Sequence, residues 1–164
     1  IVSELGLGGE PVYLPTDDDV RLFIPRYEET PLPERTAIED VFVVPTEADH
    51  GGVAFHPTGE PLFAELESTR TQPMESTPEG VATVTADALV ELFELADGVE
   101  YDVDTATNRI TFEVAGAGLG DPTAVDHPVQ SFLAVGIAQT LDVTVRVDVR
   151  EEPLTITCRY ENQE

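Results

Sequence analysis

Histidine and carboxylate side chains cluster in the sequence around residue 50. Asp49 and His50 are followed by His56, and His127 lies much farther along the chain. Imidazole nitrogens and carboxylate oxygens are ligands that Zn²⁺ and other transition metals take in proteins. These four residues therefore indicate a metal centre, although their spacing matches neither HxH nor HExxH. The simpler alternative is that His50 and His56 are loop histidines that hold no metal.

Three further groups of residues could bind a ligand or take part in catalysis, and each has a simpler structural explanation. The carboxylates of Asp17–Asp19 suit a hard cation such as Mg²⁺ or Ca²⁺, but a hydrated turn before a strand explains them more simply. Gly116, Gly118 and Gly120 precede a helix as phosphate-binding glycines do, but the spacing is not GxGxxG and a flexible connector is favoured. Cys158 alternates with apolar residues, which predicts a core thiol rather than a nucleophile.

The net charge of the chain is -25 at pH 7, because 33 acidic residues face eight arginines and no lysine. Such an excess of one sign repels itself in dilute buffer and becomes tolerable where concentrated salt shortens the screening length. We therefore predict a salt-adapted protein with solvent cations at its acidic surface and no bound cofactor. Neither half of the chain carries the basic patch that phosphate contacts require, so we expect no nucleic-acid partner.

Hydropathy, cysteine content and the first residues of the chain indicate the cellular compartment of the protein. No apolar run approaches the roughly 20 residues that a membrane-spanning helix needs, so we expect no membrane span. Cys158 is the only cysteine, which excludes an internal disulfide and favours a reducing environment. The first residues do not resemble a cationic and apolar export signal. Together these features predict a cytoplasmic protein.

The second half of the chain, 76–164, has the clearest periodicity. Apolar residues at helical spacing predict a helix over 86–97, after a short strand at 81–84, and a second helix over 128–141. Strict alternation of apolar and polar residues predicts a hairpin over 99–115 and another over 143–160. Each unit has the order helix, strand, strand, which suggests a duplicated structural unit.

The first half, 1–75, is rich in proline and in short β-prone runs. These runs predict strands joined by long loops, with residues 68–80 as a linker. The predicted strands are 12–14, 20–24, 41–44, 53–55 and 62–66. The whole chain is therefore predicted to be one compact α+β domain, in which two main helices cover a mostly antiparallel β-sheet.

The predicted helix 128–141 has almost no polar face, so it is either buried on several sides or packed against another chain. Its candidates for an interface, or for the core beneath one, are Phe132, Leu133, Val135 and Ile137. The leading hypothesis is a non-catalytic protein-interaction or assembly domain. Its partner would be itself, as a homo-oligomer, or another protein.

Two other classes of function remain open from the sequence. One is a small-ligand sensor or metal-dependent enzyme that uses the region of His50, His56 and His127. The other is a structural component of a virus or cell envelope, which would also fit proline-rich strands. No acid–base pair can be selected among 33 carboxylates, so the sequence leans away from an enzyme without specifying a reaction.

Overall fold

The computed structural model describes residues 11–16, 19–25, 42–43, 52–117, 120–121, 124–151 and 153–162. Its strands are β1 (Val12–Pro15), β2 (Val20–Pro25), β3 (Phe42–Val43), β4 (Gly52–Phe55), β5 (Gly98–Asp104), β6 (Arg109–Ala115), β7 (Val143–Arg150) and β8 (Leu154–Asn162). Its helices are α1 (Gly59–Thr69), α2 (Pro78–Asp87), which continues into a π-helical turn over Ala88–Leu92, and α3 (Pro128–Leu141).

All eight strands of the described residues belong to one antiparallel sheet, with the order β3-β4-β2-β1-β7-β8-β6-β5. Helix α3 packs on the central strands β1, β7 and β8, α2 packs on β5 and β6, and α1 packs on α3. The predicted α+β class with an antiparallel sheet is therefore confirmed. The described part of the chain has three helices over this sheet, one more than the sequence predicted.

Helix α3 and the two hairpins of the second half follow the sequence prediction closely. Helix α3 has the predicted bounds, and the two hairpins β5–β6 and β7–β8 lie where alternation placed them. Pairing of β6 with β8 joins the hairpins, and pairing of β1 with β7 adds the strands of the first half to the same sheet. Each hairpin follows a helix, so the order helix, strand, strand occurs twice along the chain.

The start of α2 corrects the predicted strand 81–84 and the predicted helix 86–97. The side chain of Thr77 caps α2 by accepting a hydrogen bond from a backbone N–H one turn ahead, at 3.0 Å, and Pro78 occupies the first turn. The hydroxyl of Thr85 donates to the carbonyl of Val81 at 2.7 Å, inside the helix. Tertiary packing thus overrides the β propensity of these branched residues.

Helix α1 corrects the predicted strand 62–66 and shortens the predicted linker 68–80 to the residues between α1 and α2. Pro61 lies in the first turn of α1, where a missing N–H costs no hydrogen bond. Phe63 is buried, and its ring centroid lies 6.3 Å from that of Phe132 on α3. A five-residue segment with four apolar residues cannot distinguish a strand from a short helix, and the contact with α3 decides the outcome.

A polar junction joins β1, α1 and α3 at Asp126. The Tyr13 hydroxyl donates to Asp126 Oδ1 at 2.8 Å, and both the N–H and the hydroxyl of Thr58 donate to Asp126 Oδ2 at 2.8 Å. Burial, followed by the negative charge of Asp126, raises the pKa of Tyr13 well above its usual value. Tyr13 therefore stays a neutral hydrogen-bond donor. Asp126 holds this position with a left-handed backbone, φ 59°.

We expect Asp126→Ala to lower the free energy of unfolding by about 2–3 kcal/mol, because it leaves the buried Tyr13 hydroxyl without its acceptor and strains the backbone. Asp126→Asn should lose less, since asparagine tolerates positive φ and keeps a carbonyl acceptor. Urea unfolding at constant KCl measures both. Asn108→Ala, at another left-handed position with an exposed side chain, gives the backbone component. Equal losses for Asp126→Ala and Asn108→Ala would contradict the role of the junction.

Candidate functional site

The face of the sheet opposite the helices is polar in the second half of the chain. In β6, β7 and β8, the residues that face the helices include Ile110, Val147 and Cys158, which pair with one another across the strands. Alternation then turns the intervening residues outward, and these are threonines, arginines and carboxylates. Among the described residues, no helix covers this polar face of the sheet.

Three arginines lie side by side on this face. Arg109 of β6 is the cross-strand partner of Arg159 of β8, and Arg159 is the partner of Arg146 of β7. We call these three residues the arginine row. Arg150 lies on the same face of β7, so half of the eight arginines of the chain are here. Because like charges directly opposite one another destabilise a sheet, this concentration of cations needs compensation by anions.

Carboxylates of the same chain supply part of that compensation. Arg146 forms an ion pair with Glu161, and Arg159 Nε lies 3.4 Å from Asp148 Oδ2. Hydrogen bonds from Thr107, with a contribution from the charge of the nearby Arg109, hold the pKa of the Asp104 carboxyl below its usual range. The pairs remain open to solvent.

The guanidinium groups of the row are accessible at one end of β6 and β8. The side chains of Arg146 and Arg159 are 28% and 39% exposed. A cavity of about 290 Å³ opens there. It is lined by Thr107, Asn108, Arg109, Arg146, Arg159, Tyr160 and Glu161. Guanidinium forks together with hydroxyl and amide donors form a site suited to a carboxylate, which arginine binds with two parallel hydrogen bonds.

The charge of the molecule is distributed unevenly between the helical layer and the polar face. From Gly59 to Asp97, nine acidic residues accompany the single arginine Arg70, a formal charge of -8. The outward strand positions of β5 to β8 carry four arginines and six acidic residues, a formal charge of -2. These acidic residues are Glu100, Asp102, Asp104, Glu113, Asp148 and Glu161. An acidic partner therefore meets far less repulsion on the polar face.

A wider groove lies between α1 and the π-helical turn, on the other side of the molecule. Its volume is about 440 Å³, and its wall includes Leu66, Arg70, Glu91 and Leu92, the last 41% exposed. Single-turn π-helices are frequent at functional sites. The lining mixes apolar, basic and acidic side chains without a convergent set of donors, so it specifies no ligand chemistry.

The four predicted metal ligands do not come together as one site in the described residues. Asp49 and His50 lie outside those residues. His127 is buried at the start of α3, where its Nδ1 accepts a hydrogen bond from the N–H of Val129 at 3.2 Å. His56 instead lies beside Asp19 and Glu60, and one ligand atom from each of these three residues falls within 4.8 Å of the others.

This second cluster, which we call the histidine–carboxylate cluster, consists of Asp19, His56 and Glu60. His56 Nδ1 lies 3.9 Å from Glu60 Oε1. The Thr16 hydroxyl donates to Asp19 Oδ1 at 2.7 Å, and Arg21 Nη1 lies 2.5 Å from Asp19 Oδ2. The sequence shows that Glu60 lies four residues after His56, but the predicted strand 62–66 and its loops do not bring the two side chains together, so Glu60 is missing from the predicted ligands.

The two carboxyl groups of this cluster have shifted pKa values because they lie close together and are partly buried. Burial, together with the negative charge of Asp19, raises the pKa of Glu60. Burial acts in the same direction on Asp19, but hydrogen bonds from Arg21 and Thr16 outweigh it and lower the pKa of Asp19. The guanidinium of Arg21 therefore stabilises the ionised Asp19 more than the ionised Glu60. Its Nη1 lies 3.9 Å from Glu60 Oε2.

The remaining predicted site residues lie in the core or in a connector. Phe132, Leu133, Val135 and Ile137 are each 0% exposed, so within the described chain they pack in the core rather than on its surface. Cys158 is also fully buried, and burial raises the pKa of its thiol to about 12, as suits a core thiol. Gly116 and Gly120 have positive φ in the segment before α3, and Gly118 lies outside the described residues.

Comparisons with other proteins give a family and no function. Within the described residues, none of the helices combines the length and apolar character that crossing a bilayer requires. Neither the curated proteins nor the solved structures include a significant match to this chain. A family model described as "Domain of unknown function (DUF7982)" matches residues 1–160, and the chain therefore belongs to that family.

Proposed function

We propose that this chain is a non-catalytic protein-interaction domain of a salt-adapted cytoplasmic protein, and that its polar face binds an acidic segment of a protein partner. The observation that carries the proposal is the arginine row. In a chain with a net charge of -25, half of the basic residues stand on one sheet face. The excess of carboxylates elsewhere supports salt adaptation, and the lone cysteine is in keeping with a reducing compartment.

The geometry of the row suits an extended acidic peptide. Neighbouring strands lie about 4.8 Å apart, so the row spans about 10 Å across β7, β8 and β6. Alternate side chains of an extended peptide recur about every 6.8 Å, so two carboxylates can engage three guanidinium groups. The intramolecular partners Asp148 and Glu161 are themselves 57% and 58% exposed, and exposed ion pairs of this kind contribute little to stability. A partner carboxylate therefore exchanges with them at small cost.

Salt limits the interaction to direct contacts. In molar KCl the screening length falls to about 3 Å, which removes long-range attraction and repulsion alike. Binding then depends on hydrogen-bonded guanidinium–carboxylate pairs rather than on the overall field. The same screening lets a partner as acidic as this chain approach, so the acidic segment can belong to a second copy or to a different protein.

A binding titration tests the proposal. We expect fluorescently labelled decaglutamate to bind the wild-type chain. The triple variant Arg109→Gln, Arg146→Gln and Arg159→Gln should weaken that binding by at least about tenfold, since each charged pair contributes about 0.5–1 kcal/mol. Fluorescence anisotropy across a series of KCl concentrations measures both affinities. Arg70→Gln is the matched control, because it removes one exposed arginine from the helical layer.

The control variant shows whether decaglutamate binds to the polar face specifically or responds to the loss of any positive charge. Affinity for decaglutamate should change by less than about twofold in Arg70→Gln, because a single exposed charge far from the site is screened. Equal affinities of the wild type and the triple variant would contradict the proposal, as would absence of binding at every KCl concentration. Light scattering of the wild type and the triple variant then shows whether a second copy supplies the acidic segment.

A further inference from the structure

We propose that Asp19, His56 and Glu60 bind one divalent transition-metal ion of the Zn²⁺ or Co²⁺ type. One imidazole nitrogen with two carboxylate oxygens is a ligand set that such ions accept, whereas Mg²⁺ and Ca²⁺ prefer oxygen ligands alone. The proposal is independent of the polar face and of the arginine row. It also replaces the ligand set expected from the sequence, of which it retains only His56.

The fold brings the three ligands together from separate segments. Asp19 lies in the turn just before β2, His56 directly follows β4, and β2 pairs with β4 through Leu22 and Phe55. Glu60 lies in the first turn of α1, four residues after His56. The paired strands and the start of α1 therefore fix the backbone positions of the three ligands. Only their side chains have to move to change the distances between the ligand atoms.

The distances require only side-chain adjustment for a metal to bind. The three ligand atoms lie within 4.8 Å of one another. Ligands about 2.0–2.2 Å from a tetrahedral ion lie about 3.4 Å apart, so the cluster must contract by about 1.4 Å. The His56 side chain is 63% exposed, which leaves an approach for the ion and room for water as a fourth ligand.

Arg21 is the competitor of the ion in this cluster. The two carboxylates carry a formal charge of -2, and the guanidinium of Arg21 neutralises one of them at Asp19. A divalent ion would offset the repulsion between Asp19 and Glu60 more fully than Arg21 does. A substitution of Arg21 therefore distinguishes a metal site from an ion-pair network that holds no metal. Removing Arg21 should strengthen a metal site, whereas it should only weaken a network.

Titration of the metal-free full chain in molar KCl with Co²⁺, and then with Zn²⁺, tests the site. We expect one Co²⁺ per chain, seen as visible absorption of the bound ion, and displacement of Co²⁺ by an equivalent of Zn²⁺. His56→Gln should weaken binding by at least about tenfold, as loss of one of three ligands implies. His50→Gln should leave the affinity unchanged. Arg21→Gln should tighten binding by about threefold or more, because it removes a competing charge.

Several results would overturn the proposal. Co²⁺ binding that survives His56→Gln but is lost in His50→Gln would place the metal elsewhere in the chain. Competition by millimolar Mg²⁺ on equal terms with Co²⁺ would mark general attraction to an acidic surface. A stable Arg21→Gln chain with weaker Co²⁺ affinity would identify Arg21 as part of a structural ion-pair network only. Folding of each variant is checked by circular dichroism before titration.

Discussion

Val135→Asp is expected to leave the domain unfolded under conditions in which the wild type is folded. Val135 is 0% exposed in α3, and every position of α3 from Val129 to Ala138 is buried. An aspartate there either buries an unpaired charge or unfolds its surroundings, and the cost of several kcal/mol is comparable to the whole stability of a typical domain, about 5–15 kcal/mol. Loss of cooperative melting in circular dichroism measures this.

The matched control for Val135→Asp is Ala64→Asp, which places the same charge at an exposed position of α1. We expect Ala64→Asp to lower the free energy of unfolding by less than about 1.5 kcal/mol, a loss confined to helix propensity and to repulsion from nearby carboxylates. An unchanged melting temperature for Val135→Asp, with an altered oligomeric state, would show that Val135 lies at an interface between chains. That result would contradict its place in the core.

Gly59→Ala is expected to cost about 3 kcal/mol or more, the upper range for overpacking a core. A Cβ at Gly59 would lie 2.3 Å from the backbone N of Phe132 and 2.4 Å from the backbone C of Ser131. These are main-chain atoms, so α1 and α3 would have to move apart. Movement would also break the hydrogen bond from Gly59 N–H to Ser131 Oγ at 2.7 Å, next to the Asp126 junction.

Gly98→Ala is the control for this substitution, because a Cβ at Gly98 would meet no atom within 4 Å. We expect the Gly98 variant to change the free energy of unfolding by less than about 1 kcal/mol, since any gain or loss is confined to backbone entropy. Urea unfolding of both variants gives the comparison. Similar values for the two glycines would mean that α1 and α3 do not approach as closely at Gly59 as described.

Local patterns were enough to predict α3 and the two hairpins of the second half. The alternation of Val143, Val145 and Val147 with polar residues requires only that one face of a strand be buried, and α3 has apolar residues all round. Gly136 allows α3 to approach α2 closely, since a Cβ there would lie 2.9 Å from Thr85 Cγ2. These features depend on short-range periodicity or on the size of one residue.

The features that the sequence did not predict depend on contacts between distant segments. Helix α1 is short, and its Phe63 is buried only because α3 lies against it. Alternation placed Arg146 and Arg159 on the polar face, but their adjacency to Arg109 follows from the strand register, which the sequence does not specify. Pairing of β2 with β4 likewise brings Asp19 near His56.

The most direct measurement of the proposed interaction is amide chemical-shift mapping of the ¹⁵N-labelled chain during titration with unlabelled decaglutamate in KCl. Binding on the polar face predicts saturable shifts at Arg109, Arg146 and Arg159 and at their neighbours in β6, β7 and β8, with unshifted amides in α1 and α2. Shifts confined to the segment from Gly59 to Asp97, or absence of saturable shifts anywhere, would contradict a role for the arginine row in binding acidic partners.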